Sequence, residues 1–326
     1  MGPNASGKTN LLEAVIALGI GSSFKAKDNE LIQFNRPWAR LEGNFDSHVR
    51  TLKIKAGEPA VKSLDIGTKT LTRVRLEHTQ PLVLFEPNHL LQLTTSPQAR
   101  RDYIDELITK TDPAFGQINR LYKRVLAQRN SLLKKSPSAI ASQIFAWDVR
   151  LGELGSQIVS ARLSLIGQLN QNLSKTYSQI AKKKASAAVS YKPLAPADVY
   201  ATKLVDRLKK DLPRDIERGF TSDGPHREDI SFVINGHPIN SSASRGEIRS
   251  LLLALKILEL DLVETAREQK AIFLLDDVFS ELDNLRRQAL VKAIRSHQAI
   301  ITTTDADAVL DYFANSKYNL IPLKRR

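Results

Sequence analysis

A chain of 326 residues with 42% hydrophobic and 25% charged side chains is long enough for two domains, or for one domain carrying an insertion, which excludes both wholesale disorder and a small stapled scaffold. It has no cysteine, so disulfides, thiolate zinc sites, cysteine nucleophiles and a CxxC zinc hook are excluded together. Lys and Arg number 48 against 35 Asp and Glu, a net charge of +13 that favours a polyanionic partner such as nucleic acid over ordinary solubilising charge. No long apolar run or leader pattern points to a membrane or to secretion, so a cytoplasmic, nucleoid-associated protein is expected.

Residues 2–9, Gly-Pro-Asn-Ala-Ser-Gly-Lys-Thr, satisfy the G-x-x-x-x-G-K-[ST] pattern, and Leu11, Leu12, Val15 and Ile16 at helical spacing predict a helix directly after it. That arrangement aims backbone N–H groups at phosphates from a helix N-terminus. Lys8 reaches the β- and γ-phosphates, and Thr9 offers a hydroxyl to Mg²⁺. Gly2, Asn4, Gly7 and Asn10 complete the candidate ATP loop. Alternation predicts strands at residues 50–55 and 81–85, with turns at Gly57, Pro59 and Gly67.

From residue 97 to about 184 the pattern is helical. One stripe carries Ile118, Leu121, Tyr122, Val125, Leu132 and Leu133; a second carries Leu151, Leu154, Ile158, Leu165, Leu169 and Leu173. Ser136-Pro137-Ser138 separates them, which predicts an antiparallel helical hairpin. The apolar faces belong to a core, so only the basic faces are candidates for binding. Between Arg100 and Asp215 there are 21 Lys/Arg against 10 Asp/Glu, placing eleven of the thirteen net charges in this region. Lys182-Lys183-Lys184 is one candidate patch, beside its reading as a solvated lysine run. Residues 191–219 are mixed and Pro-containing, and are expected to return the chain to the first domain.

A strand at residues 230–234, a turn at Asn235-Gly236 and a long helix follow. The helix opens at Ser244-Arg-Gly246-Glu247 and carries a core stripe of Ile248, Leu251, Leu252, Leu255 and Leu262. Ser244 fits a helix N-cap, and the same helix start suits an anion, here the γ-phosphate of ATP bound to another subunit, with Gly246 beside it. The run Ile272-Phe-Leu-Leu-Asp276-Asp277 reads as a buried parallel strand delivering two carboxylates to the P-loop. Asp276 would hold Mg²⁺ through water and Asp277 would polarise the attacking water. Ser280-Glu-Leu-Asp283 follows, then a strand ending in Thr302-Thr303-Thr304-Asp305.

The order of these pieces resembles the head of ABC ATPases. Further stretches resemble the RecF family in particular: Gly7-Lys-Thr-Asn-Leu-Leu-Glu-Ala14, Val83-Leu-Phe-Glu-Pro87 with Ser96-Pro97, Arg100-Arg101-Asp102-Tyr-Ile-Asp105-Glu, Leu126-Ala-Gln-Arg129-Asn130 and Gly224-Pro-His226-Arg227. The resemblance implies an α/β P-loop NTPase head of ABC type (residues 1–98 and 218–326) with an inserted, mainly helical arm (99–217). It implies ATP and Mg²⁺ as cofactors, contacts from Asp283 and Thr304, and weak DNA-stimulated ATP turnover. It also implies an ATP-dependent homodimer on gapped or single-strand/double-strand junction DNA, working with RecO and RecR to load recombinase in repair, replication and the SOS response. The alternative is a DNA-binding adaptor with little or no turnover.

Some positions depart from the family pattern. The strand that feeds the P-loop is expected ahead of Gly2, outside this chain. Thr303 or Thr304 stands where a switch histidine is common, residues 83–90 hold no clear Q-loop glutamine, and His89 replaces an acidic residue. In the signature, Arg245 and Glu247 replace more usual glutamines. A transporter subunit would seldom carry so long a basic helical insertion, and coiled-coil or zinc-hook relatives need segments that this chain lacks.

Overall fold

A computed structural model describes residues 1–3, 5–45, 48–135, 137–305, 307–313 and 318–324. The chain starts with α1 (Lys8–Ile20), then β1 (Trp38–Phe45), β2 (His48–Lys55), β3 (Val61–Ile66), β4 (Lys69–Leu71) and β5 (Leu82–Phe85). There follow α2 (His89–Thr94), α3 (Pro97–Thr111), α4 (Phe115–Leu132), α5 (Pro137–Ala181), β6 (Ala187–Tyr191), α6 (Tyr200–Lys210), α7 (Leu212–Arg218), β7 (Ile230–Ile234), β8 (His237–Pro238) and α8 (Ile239–Ser242). The last elements are α9 (Arg245–Arg267), β9 (Ile272–Asp276), α10 (Val278–Glu281), α11 (Asn284–Ile294), β10 (Gln298–Thr302) and α12 (Asp307–Phe313). Contacts divide them into two compact units, Met1–Pro87 with Glu259–Arg326, and Asn88–Leu258.

In the first unit, β10, β9 and β5 form a parallel sheet in that order, with Leu82 and Gln298 both opposite Ile272. Every residue of β9 is buried, as its unbroken apolar run requires of a central strand covered on both faces. A second sheet, β1-β2-β3-β4, is antiparallel. Helix α1 lies between the two. Leu12 and Ile16 pack on Leu82, Ile272 and Leu274 of the parallel sheet, while Ala17 and Leu18 pack on Leu52, Ile54 and Leu64 of the other. Burial on two sides explains why α1 is apolar around much of its circumference. Each such leucine or isoleucine contributes roughly 1.5–3 kcal/mol of burial. Gly21 ends the helix in the left-handed region (φ 77°), its N–H bonded to Ala17 O.

In the second unit, α4 and α5 form the expected hairpin, with Leu132 and Leu133 packed on Ile140 and Ile144 at its turn. Residues 191–219 do not lead back to the first unit: α6 packs along α5 so closely that a Cβ at Gly152 would lie 2.8 Å from Ala201 O. The third sheet, β6-β7-β8, is antiparallel, and the edge of β6 is covered by side chains of α5. Asn170 donates to Val189 O and accepts from Val189 N, both at 2.8 Å; Ser174 does the same at Ala187, and Ser178 at Ala185. The match is geometric. Four helical residues rise about 6 Å and two strand residues about 6.8 Å, so a polar side chain every fourth helical position meets every second strand residue. An edge that would otherwise recruit another strand is thereby satisfied from within.

Among the described residues, no helix is long and apolar enough to cross a membrane.

Candidate nucleotide-binding site

Gly7 stands before α1 at φ 88°, a left-handed conformation that strains any other residue, and no side chain caps the helix. The first N–H groups of α1 thus have no side-chain acceptor, which is the arrangement an anion exploits. Lys8 is buried and folds back, its Nζ donating to the carbonyls of Gly2 (2.7 Å) and Pro3 (2.9 Å). Gly2 also donates its N–H to Thr303 O at 3.3 Å, joining the loop to the end of β10. Asn4 lies outside the described residues, and Asn10 is exposed on α1.

Strand β9 ends on the two carboxylates. Thr9 Oγ1 donates to Asp276 Oδ2 at 2.9 Å, and Thr302 Oγ1 donates to Asp276 Oδ1 at 2.6 Å. Asp276 is therefore held from both sides, by the P-loop helix and by the neighbouring strand. Asp277 turns out of the strand at φ 51°, and its N–H reaches Thr302 O (3.2 Å) and Oγ1 (3.1 Å). Its Oδ1 is buried without a hydrogen-bond partner among the described residues. Burial pushes the Asp277 carboxyl above the usual carboxylate range, Lys8 opposes that shift, and Asp276 adds to it. A buried acceptor left open beside a cationic lysine and a threonine hydroxyl fits a site for a metal-bound or phosphate-bound water.

Thr304 is exposed, with its backbone N–H toward the Asp277 carboxylate. Asp283 caps α11, accepting from Arg286 N at 3.0 Å and pairing with the Arg286 guanidinium. In the second unit, Ser244 and Glu247 form a reciprocal cap on α9: Ser244 Oγ and N donate to Glu247 Oε2 at 2.9 and 3.0 Å, and Glu247 N donates to Ser244 Oγ at 3.3 Å. Gly246 is half-buried on the same turn.

The chain is 32% identical over 320 residues to a protein of Heliobacterium modesticaldum named DNA replication and repair protein RecF, covering 94% of this chain and 86% of that one. A Myxococcus xanthus protein of the same name is 33% identical over 322 residues, covering 95% and 85%. The chain belongs to the RecF family. Among solved structures it matches one described as the recombination mediator protein RecF-ATP in the RecFOR pathway, with a TM-score of 0.80, 29% identity, and coverage of 94% of this chain and 85% of that one. The corresponding RecF-ATPrS structure gives a TM-score of 0.82 at 29% identity, with 94% and 86% covered. No family model matches the chain.

Of the stretches that resemble RecF in particular, those around Arg100–Asp105, Arg129 and His226 lie in the second unit, and their charged side chains are largely buried. Arg129 is fully buried: Nε donates to Asp148 at 2.6 Å, and Nη1 to Asp215 at 2.7 Å and to Thr221 Oγ1 at 3.0 Å. Arg100 holds Asp229 through Nε and Nη2 and donates to Ile230 O. Asp105 is held by Arg162, which also donates to Pro225 O at 2.7 Å. His226 sits between the Tyr122 hydroxyl (2.7 Å, Nδ1) and Thr221 O (3.2 Å, Nε2). A carbonyl only accepts, so Nε2 carries the proton and Nδ1 accepts from Tyr122.

Thr302 and Arg162 were not legible beforehand. The run of three threonines marks the end of β10, but only the parallel register, which sets Thr302 opposite Asp276, singles out the first of them. Arg162 lies mid-helix with no motif around it, and nothing local betrays its partner 57 residues away.

Proposed function

We propose that this RecF-family chain is an ATP-dependent DNA-binding protein, with an ATPase site formed by Gly2, Gly7, Lys8, Thr9, Asp276 and Asp277. The observation that carries the reading is the chain Thr9–Asp276–Thr302, which locks α1 to β9 beside an Asp277 carboxylate whose Oδ1 has no hydrogen-bond partner among the described residues. Mg²⁺ would be held by Thr9 Oγ1 and, through water, by Asp276, and would draw charge from the phosphate oxygens. Lys8 neutralises the β- and γ-phosphates, the backbone amides opening α1 orient them, and Asp277 orients the attacking water. Ser244 and Gly246 serve the γ-phosphate bound to a second copy, so that ATP joins two chains, with Asp283 and Thr304 beside the nucleotide.

DNA is the partner that the charge favours. Helix α4 contains no Asp or Glu, and Arg120, Lys123 and Arg124 are exposed on it, followed by Lys134 and Lys135. Such a face suits phosphates without reading bases. Gapped or junction DNA, RecO and RecR belong to this proposal through the family.

Nucleotide binding and turnover test it. Lys8→Ala is expected to abolish ATP binding, measured with a fluorescent analogue. Asp277→Asn is expected to bind ATP as the parent does but to hydrolyse it on the order of 10²-fold more slowly. Unchanged turnover in Asp277→Asn would refute the assignment of the carboxylate, and a parent that binds ATP without hydrolysing it would favour the adaptor.

A further inference from the structure

The exposed lysine run at residues 182–184, read from the sequence as a candidate DNA patch, has a more specific neighbour. Lys183 Nζ lies 2.7 Å from Glu247 Oε1, while Oε2 of the same carboxylate accepts from Ser244 N and Oγ. Lys183 is held near that point by its own chain. Lys182 leaves α5 at φ 52°, Ala185 is tied to Ser178, and Ser186 N donates to Asn235 Oδ1 at 2.9 Å.

Glu247 has two opposed effects. As the third residue of α9 it completes the cap and favours the positive end of the helix. It also sets a negative charge one hydrogen bond from the serine that, in the function proposed above, meets the γ-phosphate bound to a second copy. Ser244 has one hydroxyl proton, and that proton is given to Glu247. To reach a phosphate it must leave the carboxylate, which then needs other donors.

We propose that Lys183 is a positioning residue for the signature turn: it neutralises Glu247 and supplies the donor that lets Ser244 release its hydroxyl to an incoming phosphate oxygen. The carboxylate is held down to about pKa 2, with the Lys183 hydrogen bond the first cause and Ser244 the next, so it is charged at all working pH values. Without Lys183 that charge competes for the Ser244 proton and repels the phosphate. A neutral amide at position 247 removes the need for the lysine.

This inference rests on the dimer reading, and one experiment separates the two. The full chain is followed by sedimentation velocity with Mg²⁺ and ATP over a concentration series, as the parent, Lys183→Ala, Lys183→Arg, Glu247→Gln and Lys183→Ala/Glu247→Gln, with Ser244→Arg as the monomeric control. An exposed pair of this kind shifts an equilibrium by roughly threefold. A two-fold dimer contains it twice, so Lys183→Ala is expected to weaken dimerisation about tenfold. Lys183→Arg should stay near the parent, and the double variant should recover to within about twofold of it. Melting temperatures should differ little, since both side chains lie at the surface. A dimerising parent with an indifferent Lys183→Ala, or a double variant as weak as Lys183→Ala, overturns the role of Lys183 alone. A parent that stays monomeric with ATP overturns the dimer reading and this inference with it.

Discussion

Protonating His226 should destabilise the second unit by an amount that can be worked out from its surroundings. The imidazole is largely buried and already makes both bonds available to its neutral form, accepting from Tyr122 and donating to Thr221 O. Burial is the first cause of its low pKa, about 4 against an ordinary 6.5; Arg227, Arg101 and Arg129 add to the shift, and only the Thr221 carbonyl opposes it. A group depressed in the fold takes up its proton more readily when unfolded. Its contribution is therefore complete above about pH 6.5 and is lost as the pH falls toward 4. The full loss is about 3 kcal/mol, and by pH 5 about 2 kcal/mol has gone.

The two tryptophans make this measurable. Trp38 is in the first unit and Trp147 packs against the Leu132 and Ile140 cluster in the second, so a Trp38→Phe background leaves Trp147 as the reporter of the second unit. Urea unfolding at pH 7.5 and pH 5 should show the loss of about 2 kcal/mol. In His226→Gln the pH-dependent loss should vanish, at a cost of about 1 kcal/mol at pH 7.5 for the weaker bond to Tyr122. Carboxylates titrating in both proteins cancel in the comparison. Equal pH dependence in the two proteins would refute the argument, because the loss would then belong to other groups.

Two more predictions concern the nucleotide and DNA sites. Thr302→Val removes the hydroxyl that fixes Asp276 and keeps the shape of β10; it should slow ATP turnover by about tenfold or more while leaving Kd for ATP within a few fold, as read by steady-state hydrolysis and nucleotide titration. Loss of binding instead would make Thr302 part of the phosphate cradle. Combined Arg120→Glu, Lys123→Glu and Arg124→Glu should lower the slope of log Kobs against log salt by about 2–3 on a labelled gapped duplex, whereas reversal of Lys182, Lys183 and Lys184 should change it less, because Lys183 is paired. An unchanged slope in the α4 variant would place the DNA elsewhere.

What could be read from the sequence was what is local. Gly7-Lys8-Thr9 opening a helix, an apolar run ending in Asp276-Asp277, and two apolar helical stripes are each patterns of a few neighbouring residues, and each appears in the structure; of the Ser136-Pro137-Ser138 break, Ser136 lies outside the described residues and α5 already starts at Pro137. Pairing across the chain was not legible. Thr9 and Asp276 were joined through motif order alone, whereas Thr302 required the strand register, and Lys183–Glu247 spans 64 residues. Residues 191–219 misled because their prolines and mixed polarity read as a connection. Tyr200, Leu204 and Leu208 are nevertheless buried at a helical period against α5, on a stretch too short to outweigh its flanks.

The family-selective motifs raise a different point, because a buried ion pair is weak evidence for stability. Its desolvation offsets its attraction, so apolar groups of the same shape often serve as well. Stability alone therefore does not account for the motif arginines Arg100 and Arg129, or for Arg162, which lies outside the motifs but holds the motif residue Asp105. Each of them, however, makes several bonds, and each reaches the segment between α7 and β7 or its flank: Arg129 at Asp215 and Thr221, Arg162 at Pro225 O, Arg100 at Asp229 and Ile230 O. That segment leads into β7, whose pairing with β6 continues through the turn at Asn235 toward Ser244. Apolar side chains would bury it equally well but would not fix its register, since any slip leaves apolar contacts intact, whereas a slip here leaves a charged group without its partner. Lysine would keep the charge but, as a point donor, could not hold a carboxylate through two nitrogens and a carbonyl through a third, as Arg162 does. The arginines thus fix the register of the segment that leads through β7 toward α9, the helix whose first turn is assigned above, as a proposal, to the γ-phosphate.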